Sequence, residues 1–342
     1  MIRVLIADDS ATARSLLAAI FATDSELQVI GQATNGAEAV ELTRRLRPDI
    51  VTMDLRMPCM DGLEATKEIM IEIPTPIVIV TASRSIQDVE MSMNSLRAGA
   101  LAIMAKPTGP AGPGFDEQAR HLITQVKAMA QVKVVRHWRR TGSAARSRTP
   151  ASHHATRARV IAIASSTGGP AALERIVTGL PPDFAVPILV VQHISAGFVK
   201  GLADLLNKSG PLHVKVAEAG EKLTKRTIYL APDDRHLGVS TRGQIALVET
   251  PPIGGFRPSA TFLFESVAQV YGAAAGAVIL TGMGEDGVAG LFAVRKAGGR
   301  IFAQDEKSSV VFGMPGAAIA AGLADEVLPI DEIAASLVEL VT

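Results

Sequence analysis

The chain holds a single cysteine, Cys59, in 342 residues, so no intramolecular disulfide can form and a reducing, cytoplasmic compartment is the natural expectation. It lacks net charge, with 34 Lys and Arg against 34 Asp and Glu. No global field therefore draws it to nucleic acid or to an anionic membrane. It also lacks a long apolar run. Stretches such as IVIV at 77–80 and ILVV at 188–191 fall far short of the roughly 20 residues that span a bilayer, which argues against membrane insertion. The opening MIRVLIADDS carries aspartates at 8 and 9, which interrupt the apolar core that an export signal needs.

What is present is a chain that is 48% hydrophobic, long enough for two domains of ordinary size. Short β-branched runs near 2–7, 27–31, 49–53, 76–80 and 101–105 alternate with amphipathic stretches near 11–22, 36–46, 62–71, 86–97 and 116–130. That alternation predicts a (βα)5 domain over residues 1–125, with a parallel sheet covered by helices on both faces. Between Lys127 and Arg159 there are nine Lys or Arg and no Asp or Glu. This stretch predicts a flexible basic linker over 126–157, spanning roughly 25–30 Å. Only Trp138 interrupts it with an aromatic ring, so a solvated linker is a better reading than a nucleic-acid site. A second α/β pattern fills 158–342, through RVIAIA, VPILVVQH, TIYLA, AGAVILT and RIFAQD. It predicts a doubly wound, mainly parallel domain, with short antiparallel strands or loops over 210–257.

In such sheets, chemistry gathers at the carboxyl ends of the strands. In the first domain those ends carry Asp8, Asp9 and Asp54, with Thr81 and Lys106 on neighbouring strands. Three carboxylates at one edge repel one another, and a hard, oxygen-seeking cation such as Mg²⁺ suits them. A lysine ammonium and a threonine hydroxyl beside them can receive phosphoryl oxygens. Taken singly, each residue is as readily a helix cap or a solvated charge. Together, DDS at 8–10, MDLRMPCMDG at 53–62, Thr81 and KP at 106–107 resemble the receiver domains of two-component signalling. The resemblance implies that Asp54 takes a phosphoryl group from the phosphohistidine of a histidine kinase. It further implies Mg²⁺ on Asp8, Asp9, Asp54 and the Arg56 carbonyl, with Thr81 and Lys106 sensing the phosphoryl group. Where that family commonly has an aromatic switch residue, this chain has Ile103.

In the second domain, IAIASSTGGP puts Ser165 and Ser166 at a strand end ahead of two glycines and a proline suited to a first helical turn. The turn lifts a hydroxyl to the sheet edge, or binds phosphate. Serine needs a base nearby, and VVQH supplies His193 at the end of the next strand. An imidazole that works as a base needs a buried carboxylate to orient it, and GMGEDG after AVILT supplies Asp286. The same segment satisfies GxGxxG through Gly282, Gly284 and Gly287, with Asp305 eighteen residues on. A dinucleotide site is therefore the competing enzyme reading, although it leaves Ser166 and His193 idle.

SSTGGP at 165–170, QHISAGF at 192–198, LTGMGEDGVAGL at 280–291 and AQDEKSSVVFGMP at 303–315 resemble the catalytic domain of the chemotaxis protein-glutamate methylesterases. The resemblance covers 159–342 and implies Ser166 as nucleophile, His193 as base and Asp286 as orienting carboxylate. Backbone amides near Thr167 and Met283 are candidate oxyanion donors. The chain departs from that family at APDDRH (231–236), at Ala260 and Thr261, and after His193, where paired prolines are common. The implied activity is hydrolysis of glutamate methyl esters on chemoreceptors, with deamidation of glutamines by the same route and no cofactor for the ester chemistry. The resting receiver would block the active site, and phosphorylation would release it. The rival from another class is a non-catalytic, phosphorylation-dependent binding module. A DNA-binding output is weaker, because no basic recognition helix is evident.

Overall fold

The computed structural model describes residues 1–82, 86–112, 114–132 and 156–342, residues 86 and 87 by backbone alone. Most of the expected basic linker lies outside the described residues. In the first domain, β1 (Ile2–Ala7), β2 (Leu27–Ala33), β3 (Ile50–Met53), β4 (Ile77–Thr81) and β5 (Ala102–Ala105) alternate with α1 (Ala11–Phe21), α2 (Gly36–Leu46), α3 (Gly62–Glu72), α4 (Ile86–Ala98) and α5 (Phe115–Ala130). The strands pair in parallel in the order β2-β1-β3-β4-β5. β3 and β4 are buried along their whole length, as strands with helices on both faces must be. The order brings the ends of β1 and β3 together, with those of β4 and β5 alongside.

The boundary expected at residue 125 cuts α5. Leu122, Val126 and Met129 lie one helical turn apart and are buried in the core beneath the sheet. Lys127, the first basic residue of the expected linker, pairs instead with Asp24 at 3.0 Å and with Glu26. Apolar residues at helical spacing thus carry the fold through to Ala130, as the amphipathic stretch near 116–130 predicts, and the basic composition from Lys127 on misplaced only the domain boundary.

The second domain follows as β6 (Val160–Ser165), α6 (Gly169–Gly179), β7 (Ile188–Gln192), α7 (Val199–Ser209), β8 (His213–Val216), β9 (Thr227–Leu230), β10 (His236–Val239), β11 (Ile245–Val248), α8 (Ala260–Tyr271), β12 (Ala275–Ile279), α9 (Val288–Lys296), β13 (Arg300–Gln304), α10 (Met314–Ala320), β14 (Glu326–Leu328) and α11 (Ile330–Val341). Seven strands form a parallel sheet in the order β14-β13-β12-β6-β7-β9-β8. Among the described strands, β10 and β11 form the one antiparallel hairpin. Within 210–257, then, β10 and β11 are the short antiparallel strands expected there, β9 is the strand expected at TIYLA, and β8 joins the parallel sheet beside it. The chain reverses its winding direction around β6, so the ends of β12, β6 and β7 are neighbours.

The two domains pack through α4, which lies against α7 and α6. The helices approach so closely that a Cβ on Gly201 would sit 2.0 Å from Val89 Cγ1. Around this seam, Arg97 binds Glu174 and Ser209, each at 2.6 Å, and Ser195 Oγ donates to the Ile103 carbonyl at 3.1 Å. No described helix is long and apolar enough to cross a membrane.

Candidate functional site

At the edge of the first sheet, carboxylate oxygens of Asp8, Asp9 and Asp54 lie within 4.8 Å of one another. Lys106 Nζ sits 2.7 Å from Asp8 Oδ2 and 2.8 Å from Asp54 Oδ2. The Leu55 amide donates to Asp54 Oδ1 at 2.8 Å. α3 starts directly against this loop, and a Cβ on Gly62 would lie 2.0 Å from the Asp54 carbonyl oxygen. Only glycine fits there. Burial raises the Asp54 carboxyl above its ordinary value, with help from the Asp8 charge, and outweighs the opposing pull of Lys106. Burial works against the Lys106 ammonium as well, yet its bonds to Asp54 and Asp8 win and raise its pKa. Thr81 is buried at the end of β4, where its carbonyl accepts from the Lys106 amide at 2.9 Å. Arg56 pairs through its side chain with the fully buried Asp88 of α4. Ile103 is buried in β5 among core residues that include Met93 and Leu96 of α4.

At the edge of the second sheet the two serines separate by environment. Ser165 is fully buried, and its hydroxyl donates to Gln192 Oε1 at 2.6 Å. Ser166, one residue on, lines a cavity of about 250 Å³ together with His193. The chain turns there through Gly168, at φ +77°, where a Cβ would meet Val310 at 2.6 Å. Gln192 ties the turn to the neighbouring strand by donating to the Ser166 and His193 carbonyls at 2.7 and 2.8 Å.

His193 Nε2 lies 2.9 Å from Asp286 Oδ2. An ionised carboxylate only accepts, so Nε2 carries the hydrogen and Nδ1 holds the free lone pair. Nδ1 is buried with no hydrogen-bond partner among the described residues. Phe256 stacks on the ring with centroids 4.2 Å apart and planes 9° apart, which fixes the imidazole plane. Asp286 sits at the N-terminus of α8, where it accepts from Ser259 Oγ at 2.8 Å and from the Ala260 and Thr261 amides at 2.7 and 3.2 Å. Burial pushes its pKa up, but the His193 bond and these donors outweigh burial and hold it below the ordinary carboxylate range.

The GxGxxG segment offers no open cradle for a dinucleotide. A Cβ on Gly282 would meet Met314 Sδ at 2.4 Å and Ser166 Cβ at 2.8 Å. The Gly287 amide is spent on Thr261 Oγ1 at 3.0 Å, and the Asp305 carboxylate on Ser308. The Thr167 and Met283 amides donate no hydrogen bond among the described residues. From the first domain, Ile103, Met104, His121 and Gln125 line the cavity that Ser166 lines from the second.

Phe256, Ser259 and Gln192 were missed in reading the sequence. Ser259 stands directly before an apolar helix, as an N-cap does, but its hydroxyl is spent on Asp286 instead. No local sequence signal points to a partner 27 residues away.

Two family models match the chain: CheB methylesterase over residues 161–337 and response regulator receiver domain over residues 4–112. The chain is 55% identical over 339 residues to protein-glutamate methylesterase/protein-glutamine glutaminase 4 of Myxococcus xanthus (strain DK1622), covering 98% of this chain and 96% of that one. It is 54% identical to a protein of the same name, numbered 3, from Anaeromyxobacter dehalogenans (strain 2CP-C), covering 98% and 97%. The crystal structure of the Thermotoga maritima CheB methylesterase catalytic domain aligns with a TM-score of 0.52 at 42% identity, over 54% of this chain and all of that one. With a five-stranded receiver edge joined to a seven-stranded edge bearing serine, histidine and aspartate, this chain belongs to the CheB methylesterase family.

Proposed function

We propose that the chain hydrolyses glutamate methyl esters on chemoreceptors, and deamidates glutamines by the same route, under the control of phosphorylation at Asp54. The observation that carries this reading is the Asp286–His193 pair at 2.9 Å, which leaves Nδ1 as a buried base in the cavity that Ser166 lines. Nδ1 takes the hydroxyl proton as Ser166 Oγ bonds to the side-chain carbonyl carbon. The carbonyl electrons move onto oxygen, where the free amides of Thr167 and Met283 are the candidate donors. Collapse breaks the bond to the leaving group, His193 returns the proton, and methanol departs, or ammonia from glutamine. Water then repeats the sequence at the acyl-serine, giving glutamate and regenerating Ser166.

In the receiver, the Asp54 carboxylate attacks the phosphorus of a histidine-kinase phosphohistidine, and the P–N bond breaks. Carboxylates this close fit a hard divalent cation. Asp8, Asp9, Asp54 and the Arg56 carbonyl are the residues that would hold Mg²⁺, whose charge when bound offsets that of the phosphoryl group. Thr81 and Lys106 contact the phosphoryl oxygens. The receiver spans the region to α5, a basic linker follows, and the catalytic domain runs over 158–342. The proposed phosphodonor and substrate imply work in the cytoplasm. The test is methanol release from methylated receptor membranes by wild type and Ser166→Ala, each with and without a small-molecule phosphodonor and Mg²⁺. Release that needs Ser166 and rises with phosphodonor is expected. No release under any condition overturns the reading.

A further inference from the structure

Behind the catalytic pair lies a second histidine that the reaction does not touch. His236, on β10, is fully buried and stacks on Phe262 of α8 with centroids 5.0 Å apart. Its Nδ1 accepts the Ser259 amide at 3.2 Å, and its Nε2 faces the Pro251 carbonyl at 3.2 Å. An amide can only donate and a carbonyl can only accept, so the ring is satisfied in one form alone, neutral with the hydrogen on Nε2. Ser259 is also fully buried, and its hydroxyl donates to Asp286 Oδ1 at 2.8 Å. One residue thus takes its backbone register from His236 and passes its side chain to the catalytic carboxylate.

We propose that His236 and Ser259 are positioning residues for the esterase, holding the Asp286 carboxylate in the plane that His193 requires. The inference rests on the Ser166–His193–Asp286 reading above. A hydrogen-bonded layer behind the orienting carboxylate limits its rotation, and a carboxylate free to turn presents its lone pair to His193 for less of the time. The Ala260 and Thr261 amides also meet Asp286, but both belong to α8, whose first turn begins at Ser259. A displaced Ser259 therefore moves all three donors together. Two independent packing contacts keep that turn in place: the His236–Phe262 stack, and Ser266 Oγ, which accepts from the Val239 amide one strand length from His236.

The test is the rate at which a fluorophosphonate probe labels Ser166 in the full-length protein with phosphodonor and Mg²⁺, since labelling reports nucleophile activation without receptor. Ser259→Ala and His236→Leu are expected to slow labelling about 10- to 100-fold, the range typical of outer-shell partners. They should lower kcat for methanol release by the same factor with KM nearly unchanged. His236→Asn places an amide oxygen near the Nδ1 position and is expected to restore labelling to within several-fold of wild type. Thermal unfolding on the same samples separates misfolding from mispositioning, and Ser259→Ala removes one oxygen atom without adding bulk. Variants that lower the melting temperature yet label at the wild-type rate would show a purely structural role and overturn the proposal. Wild type that fails to label at all would overturn the triad reading, and this inference with it.

Discussion

Asp54 and Asp286 are buried almost alike, 6% and 8% exposed, yet the protein shifts them in opposite directions. Asp54 shares one lysine with Asp8, and burial together with that neighbouring carboxylate raises its pKa. Asp286 is met by an imidazole, a hydroxyl and two helix-terminal amides, which together override burial. Desolvation works against the charge at both edges, and the number and kind of donors decide the outcome. The division suits the proposed chemistry. A phosphoryl acceptor gains nucleophilicity from a raised pKa, whereas an orienting carboxylate has to stay charged while the imidazolium forms.

The largest expected effect comes from breaking the second edge. In Asp286, Oδ2 faces His193 and the Ala260 amide, and Oδ1 faces Ser259 and the Thr261 amide. Asp286→Asn must turn an NH₂ group toward one of these donor pairs, so the side chain cannot satisfy its site in either orientation. A fall in kcat of about 10³- to 10⁴-fold is expected, as for amide replacement in other triads, measured as methanol release with phosphodonor present. At the first edge, Asp54→Asn is expected to remove the response to phosphodonor. Release would then stay at the unphosphorylated wild-type level, a lesser change because the ester chemistry itself is intact.

Both edges were largely legible in the sequence because strand-end positions in a parallel sheet converge by topology. Once IVTM and LAIMA read as strands of one parallel sheet, Asp54 and Lys106 fell at the same carboxyl edge, one strand apart. Asp286 was reachable in the same way, since its loop follows a strand adjacent to that of Ser166. What was not legible depends on long-range packing. Phe256 and Ser259 come from irregular chain ahead of α8, where no periodicity says which way a side chain points. The helix near 116–130 was legible, but basic composition from Lys127 on drew the domain boundary inside it, and the polar HVKV run hid β8. The seam between α4 and α7 leaves no sequence signal, because a glycine such as Gly201 within a helix has many possible causes.

That seam bears on whether the two edges work independently. At Gly201 a side chain would drive into Val89, and overpacking of this kind costs about 1–3 kcal/mol. If the closed seam restrains the esterase, Gly201→Leu is expected to raise phosphodonor-independent methanol release about 5- to 100-fold, the equilibrium shift that such an energy represents. Unchanged release would show that the α4–α7 contact does not gate the cavity.

Acid titration sharpens the contrast between the carboxylates without any substitution. The raised value of Asp54 means that the folded state favours its protonated form. The cost of ionising it is absent at low pH and grows as pH rises from the ordinary carboxylate value through the folded one. The lowered value of Asp286 means the reverse: its contribution to stability is present above the ordinary value and is lost as pH falls through the folded one. In metal-free protein, ¹³C-carboxyl NMR should show Asp54 titrating above a free aspartate and Asp286 below it. Coincident midpoints would remove the distinction between the edges.

The smallest expected effect belongs to Arg97, although it makes the most conspicuous polar contact between the domains. Its bonds to Glu174 and Ser209 are short, but the two charged side chains remain 39% and 26% exposed. Water therefore solvates both partners when the seam opens, and an ion pair so exposed is worth about 0–1 kcal/mol. Arg97→Ala is expected to raise phosphodonor-independent methanol release by no more than about 5-fold, with a smaller gain at high salt, where the wild-type pair is already screened. The apolar contact of α4 with α7 has no such competition from water, which is why Gly201→Leu should exceed it. If Arg97→Ala proved the stronger of the two, the seam would be held by its charges rather than by its packing.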